Sequence, residues 1–136
     1  MTTPAINTEK NAGDADKRIV LVVEDDPGIL RQIAFNLELH GYTVETAITG
    51  LQALKQLMNR RPDLLITDVM MPEMDGNELV ASVRADSELA DLPIIMLTAR
   101  SQDEDMVQGY QNGTDLYLTK PFNPAELVTF VKRILG

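Results

Sequence analysis

The chain has 136 residues, 44% of them hydrophobic, enough for one domain with a sizeable core and too few for two. Its formal net charge of -9 argues against a nucleic-acid partner, whose phosphates demand a basic face, and suits a bound cation or a basic partner instead. The absence of cysteine excludes disulfides, iron–sulfur clusters and thiol chemistry, and no run approaches the roughly 20 apolar residues that span a bilayer.

Residues 1 to 17, MTTPAINTEKNAGDADK, lack the apolar core of a secretory signal, so a short disordered leader and a cytoplasmic location are expected, with the domain running from 18 to 136. Ile19 to Val23, IVLVV, reads as a buried strand and ends in three acids, Glu24, Asp25 and Asp26. Pro27 is a favoured first helical residue, so Asp26 should cap a helix there, with Leu30, Ile33, Ala34 and Leu37 recurring three or four apart until Gly41 stops it. The lone His40 falls in the last turn, where its partial positive charge complements the helix dipole; with no second ligand nearby, that reading is preferred to metal binding or phosphate carriage. Thr43 to Ala47, TVETA, alternates in polarity as an edge strand does. Gly50 to Arg60 is predicted helical, with Leu51, Leu54, Leu57 and Met58 on one face and Arg60 and Arg61 neutralising its carboxyl end.

A third apolar run, Leu64-Leu65-Ile66, ends at Asp68 and is followed by the chain-turning Pro72 and Gly76. Taken alone, Asp68 reads equally well as a loop carboxylate capping the next helix, which carries Leu79, Val80 and Val83. Ala85 to Leu92, with Asp86, Glu88 and Asp91, reads as a solvated loop. Pro93 opens the run Ile94-Ile95-Met96-Leu97, which ends in Thr98. Ser101 and Glu104 have capping-box spacing, so a helix should start there, its amino end favoured by Asp103, Glu104 and Asp105 rather than these acids forming a second metal site. Gly113 ends that helix, Asp115 to Thr119 forms a last strand reaching Lys120, and Asn123 caps a helix from Pro124 whose Leu127, Phe130, Val131 and Ile134 face inward.

Strand and helix therefore alternate five times, which calls for a (βα)5 three-layer α/β sandwich: a parallel sheet covered on both faces by right-handed crossovers. The first, third and fourth strands are the most apolar and the second and fifth are mixed, so the mixed pair belongs at the edges and the order is 2-1-3-4-5. Its switch point lies between strands one and three, where Glu24, Asp25 and Asp68 would meet. Like charges gathered in a crevice need either a retained proton or a cation, and oxygen ligands without His or Cys suit magnesium. With Thr98 and Lys120 at the same rim, the set can stabilise charge building on a transferring phosphoryl group, and the Asp68 carboxylate can itself attack phosphorus to give an acyl phosphate.

Four stretches, VVEDD, LLITDVMMPEMDG, IIMLTA and YLTKPF, occur in the order and at the spacing of the receiver domains of bacterial two-component response regulators, and the chain resembles that family from Arg18 to Leu135. The resemblance implies the flavodoxin-like fold and a signalling switch in place of a general enzyme, one that catalyses only its own phosphorylation and dephosphorylation. By the same resemblance Asp68 looks like the phosphoacceptor, Asp25, Asp68 and the backbone carbonyl of Met70 ligate Mg²⁺, and Glu24 helps through a bound water. Thr98 is similar to the hydroxyl residue that moves to the phosphoryl group, Tyr117 to the aromatic switch that then turns inward, and Lys120 to the ion-pairing lysine, with a cis peptide before Pro121. The implied donor is a sensor histidine kinase or phosphotransfer protein. The output and dimerisation face is formed by the fourth helix, fifth strand and fifth helix, about Ser101 to Leu135.

No output domain follows before Gly136, so a stand-alone receiver and a fragment of a larger regulator are equally expected. Met70 and Arg100, two residues beyond Asp68 and Thr98, border the site, and an apolar thioether at 70 cannot orient an attacking water. The main rival is a Mg²⁺-dependent phosphohydrolase with an aspartate nucleophile, which generally wants a second carboxylate where Met70 stands. A flavin-binding module would need a phosphate-cradling loop where the chain has EDDPG, and a silent pseudo-receiver sits poorly with Asp68 and Lys120 both present.

Overall fold

The computed structural model describes residues 18–99 and 113–136. Along them run β1 (Ile19–Val23), α1 (Pro27–Leu39), β2 (Thr43–Ala47), α2 (Gly50–Asn59), β3 (Leu64–Asp68), α3 (Gly76–Ala85), β4 (Ile94–Ala99), β5 (Leu116–Lys120) and α4 (Pro124–Leu135). The strands form one parallel sheet in the order β2-β1-β3-β4-β5, as their polarity predicts. The leader expected over 1 to 17, the helix expected from Ser101, and Arg100 lie outside the described residues.

Period-two alternation divides the sheet residues between two cores. Val20, Val22, Leu64, Ile66, Ile95, Leu97 and Leu118 pack under α1 and α4, meeting Ile33, Leu37, Leu127 and Val131. Leu21, Val23, Leu65, Ile94, Met96 and Tyr117 face α2 and α3, meeting Ala53, Leu57, Leu79, Val80 and Val83. Residues such as Leu65, with no exposed surface, have nowhere to collapse if truncated, and Leu65→Ala should cost about 2–5 kcal/mol.

The helix starts follow local chemistry. The Asp26 carboxylate accepts from the Gly28 and Ile29 N–H groups at 2.8 and 3.2 Å, and the Asn123 side chain accepts from Ala125 N–H at 2.8 Å, each ahead of a proline at the first helical position. Gly41, with φ 93°, takes the left-handed turn that stops the first helix. His40 caps that helix, its Nδ1 2.8 Å from the Asn36 carbonyl, which gives the imidazole a structural partner.

Four sequence expectations are corrected. Leu51 and Met58 are exposed, and α2 buries Gly50, Ala53 and Leu57 instead, with Leu54 half-buried. The cause lies at Gly50: a Cβ there would stand 2.4 Å from the Met74 carbonyl oxygen, so the first turn is pressed against that loop and the helix is rotated accordingly. Arg60 pairs with Glu45, and Arg61 with Asp91 and the Glu88 carbonyl, so both are drawn off the carboxyl end of α2. The stretch after α3 is not simply solvated, because Leu89 and Leu92 are buried in the core. On α4 the buried positions are Leu127, Val128, Val131 and Leu135, whereas Phe130 and Ile134 are only partly covered. No described helix is long and apolar enough to cross a membrane.

Candidate functional site

Parallel register aligns the strand ends that carry the acids and the lysine. Val23 pairs with Thr67, Asp68 with Leu97 and Ala99 with Lys120, so the next residues along each strand emerge at one carboxyl rim. Alternation then sorts them by face: Glu24, Asp68 and Lys120 continue the parity of Val22, Ile66 and Leu118, and point to the side covered by α1 and α4. Lys120 Nζ lies 2.9 Å from Glu24 Oε1 and 3.1 Å from Asp68 Oδ2.

Glu24 is 1% exposed and Asp68 7%, while Asp25 is exposed; one carboxylate oxygen from each of the three lies within 4.8 Å of the others. Burial raises the Glu24 pKa above the ordinary carboxylate value, the hydrogen bond from Lys120 lowers it, and the charge of Asp68 raises it again, for a net rise. Burial by itself would lower the Lys120 pKa, but the hydrogen bond to Glu24 and the charge of Asp68 outweigh it, so the ammonium is held more firmly than in water. Further donors fix the acids: Asp26 N–H points to Glu24 Oε2 at 3.2 Å and Val69 N–H to Asp68 Oδ1 at 3.0 Å. Two desolvated carboxylates and one exposed carboxylate, all oxygen donors, fit a hard divalent cation with water on its open side.

Thr98 and Tyr117 belong to the other parity, that of Met96, with which Tyr117 is directly paired. Thr98 has no exposed surface and its hydroxyl donates to the Ala99 carbonyl at 3.3 Å; Tyr117 is 6% exposed, its residue already part of the core beneath α2 and α3. The Lys120–Pro121 peptide is cis. Met70 projects its side chain into solvent, 61% exposed, which leaves its backbone carbonyl as the atom to consider beside the acids.

The loop below Asp68 is held by features that the sequence reading passed over. Glu73 has φ 74°, and Met74 N–H donates to the Pro72 carbonyl at 2.8 Å, closing a three-residue γ-turn. Asp75 and Glu78 cap α3 reciprocally, each side chain accepting from the other's backbone N–H; the D-x-x-E spacing was the available signal. Gly76 N–H reaches the Val69 carbonyl at 2.7 Å, and a Cβ on Gly76 would stand 2.4 Å from the Asp68 carbonyl oxygen, so only glycine lets the helix start this close to the acid.

The family model for the response regulator receiver domain matches residues 20–132. The chain is 39% identical over 116 residues to the DNA-binding dual master transcriptional regulator RpaA of Synechocystis sp., covering 85% of this chain and 48% of that protein. It is 43% identical over 116 residues to the alkaline phosphatase synthesis transcriptional regulatory protein PhoP of Bacillus subtilis, with the same 85% and 48% coverage. The chain thus spans about half the length of these curated relatives. Among solved structures, the chemotaxis response regulator CheY4 of Vibrio cholerae is similar at a TM-score of 0.82 and 38% identity, over 87% of this chain and 98% of that one. The Francisella response regulator 1452 receiver domain is similar at 0.81 and 33%, over 88% and 97%. With sequence matches and superposition running through the same strands that build the acidic rim, the chain belongs to the response regulator receiver domain family.

Proposed function

We propose that this receiver domain is a phosphoacceptor switch in which Asp68 takes a phosphoryl group from a sensor histidine kinase or a phosphotransfer protein. The observation that carries this reading is the Lys120 ammonium held at 2.9 and 3.1 Å between the buried Glu24 and Asp68 carboxylates. Each Asp68 oxygen accepts one hydrogen bond, from Val69 N–H or from Lys120, and a carboxylate oxygen with one acceptor position filled keeps another for attack. A new P–O bond to Asp68 forms as the donor's P–N bond breaks and the imidazole leaves. Lys120 follows the charge that moves onto the phosphoryl oxygens, and Thr98, at the neighbouring strand end, gives up its bond to the Ala99 carbonyl and moves its hydroxyl to one of them.

Asp25, Asp68 and the Met70 carbonyl would hold Mg²⁺, with Glu24 reaching it through a water. Bound there, the ion supplies the positive charge that neutralises the phosphoryl oxygens. A second carboxylate, which a phosphohydrolase of this kind would use as general acid, is replaced at position 70 by an outward-facing thioether, and that favours a domain acting only on its own phosphoryl group. The signal leaves through the face running from about Ser101 to Leu135, which also serves any dimer.

Intact mass spectrometry after incubation with a small acyl phosphate and magnesium tests this directly. One added phosphoryl group is expected, absent without the metal and absent in Asp68→Asn. Equal labelling of Asp68→Asn, or no labelling of the wild type, would overturn the reading.

A further inference from the structure

Arg84, in the last turn of α3, uses all five of its guanidinium N–H donors. Nε and Nη2 converge on the Gly113 carbonyl at 3.1 and 2.6 Å, Nη1 reaches the carbonyls of Ala90 and Leu92 at 2.9 and 2.7 Å, and Nη2 also meets Asp115 Oδ2 at 3.2 Å. Asp115 in turn holds the start of β4: its Oδ2 accepts from Ile94 N–H at 2.8 Å and its own N–H donates to the Ile94 carbonyl at 3.0 Å. Gly113 completes the arrangement. Its φ is 100°, and a Cβ there would lie 2.8 Å from Arg84 Nε, so the guanidinium occupies the space a side chain would need.

These contacts sit at the amino ends of β4 and β5, the two strands whose carboxyl ends deliver Thr98 and Lys120. β5 is an edge strand, paired on one side only, so its register has half the restraint of an inner strand. A slip of one residue would shift Lys120 by about 3.3 Å and turn it to the opposite face, away from Glu24 and Asp68.

We propose that Arg84, together with Asp115, is a positioning pair for Lys120: from the far rim it clamps the β4–β5 register and so sets the reach of the ammonium to Asp68. The proposal rests on the reading of Asp68 as phosphoacceptor. Lysine replaces it only in part, because its three donors share one atom and cannot serve four acceptors on two separate segments.

The test uses the full chain with Arg84→Met, Arg84→Lys and, as a control for general destabilisation, Val80→Ala in the core of α3, all at a temperature where circular dichroism shows each folded. Amide hydrogen exchange should accelerate at least tenfold over Leu116–Lys120 in Arg84→Met while β1 is unchanged, and a Lys120 ammonium signal, expected by NMR in the wild type, should be lost. The rate of Asp68 phosphorylation at saturating acyl phosphate and magnesium should fall about tenfold, with Arg84→Lys intermediate and Val80→Ala at the wild-type rate. If Arg84→Met fails to fold, Asp115→Asn gives the same readouts with a smaller effect. Exchange that rises alike in all strands, or an unchanged Asp68 rate with β5 loosened, overturns the proposal. A wild type that takes no phosphoryl group instead refutes the phosphoacceptor reading, and exchange and the ammonium signal still judge the clamp.

Discussion

Lys120 reaches back 96 residues along the chain to set its ammonium 2.9 Å from Glu24 Oε1, in a position where Glu24 is 1% exposed. Removing one partner of a buried pair leaves the other charge uncompensated, and here it leaves two, Glu24 and Asp68, facing each other. Lys120→Met should therefore lower the stability of the metal-free chain by about 3 kcal/mol, the low end for such pairs because the lysine is 22% exposed. Urea unfolding in a chelator measures it, and coincident midpoints would contradict the assigned pairing.

Asp68→Asn should have the opposite sign. It removes the charge that raises the Glu24 pKa at the cost of the Lys120 bond to Asp68 Oδ2, keeps an oxygen for Val69 N–H, and leaves Lys120 its shorter bond to Glu24. A gain on the order of 1 kcal/mol without metal is expected from relieving the repulsion. Thermal melting across a magnesium titration should then show a smaller rise for the variant than for the wild type, since one ligand has lost its charge. A larger rise in Asp68→Asn would place the cation elsewhere.

The strand order and the gathering of acids are legible in the sequence because both follow from local facts: three apolar runs end in a carboxylate or a hydroxyl, and the two mixed runs can only sit at edges. The caps at Asp26 and Asn123 are legible for the same reason, each being read within a few residues. What escapes depends on contacts between distant segments. The outward turn of Leu51 follows from Gly50 meeting the Met74 carbonyl, and the burial of Leu89 and Leu92 follows from where α3 ends; neither leaves a periodic trace. Arg84 is the clearest case, an ordinary basic residue in a helix pattern until Gly113 and Asp115, 29 and 31 residues on, are folded against it.

Gly76→Ala separates propensity from packing. In an open helix first turn, alanine for glycine would gain up to about 1 kcal/mol. Here the new Cβ would stand 2.4 Å from the Asp68 carbonyl oxygen, a backbone atom that cannot swing aside, and 2.8 Å from Met96 Sδ. A loss of about 3 kcal/mol is expected, with a slower Asp68 phosphorylation because the acid's own peptide must shift. A stabilised variant would show that the loop gives way more easily than its hydrogen bonds suggest.

Thr114 is 5% exposed, and its hydroxyl has no hydrogen-bond partner among the described residues. Valine has nearly the same shape and buries no polar atom, so Thr114→Val should stabilise the chain by about 1 kcal/mol, read from the denaturation midpoint at constant slope. A loss of similar size would reveal a partner for that hydroxyl in solution.

Met70 sets a different quantity, the lifetime of the phosphoryl group. Hydrolysis of an acyl phosphate needs a water aligned behind phosphorus, and alignment comes from a side chain that can hold it by a hydrogen bond. Met70 is the outward-facing residue two positions past Asp68, 61% exposed, and a thioether is at most a weak acceptor. An amide in its place can both donate and accept, so Met70→Asn should speed loss of the label several-fold while leaving the rate of its uptake and the backbone carbonyl at 70 unaltered. Following decay of the phosphorylated chain by mass spectrometry after removal of the donor distinguishes the cases. Identical decay in both proteins would mean that water reaches phosphorus by a route the residue at 70 does not govern.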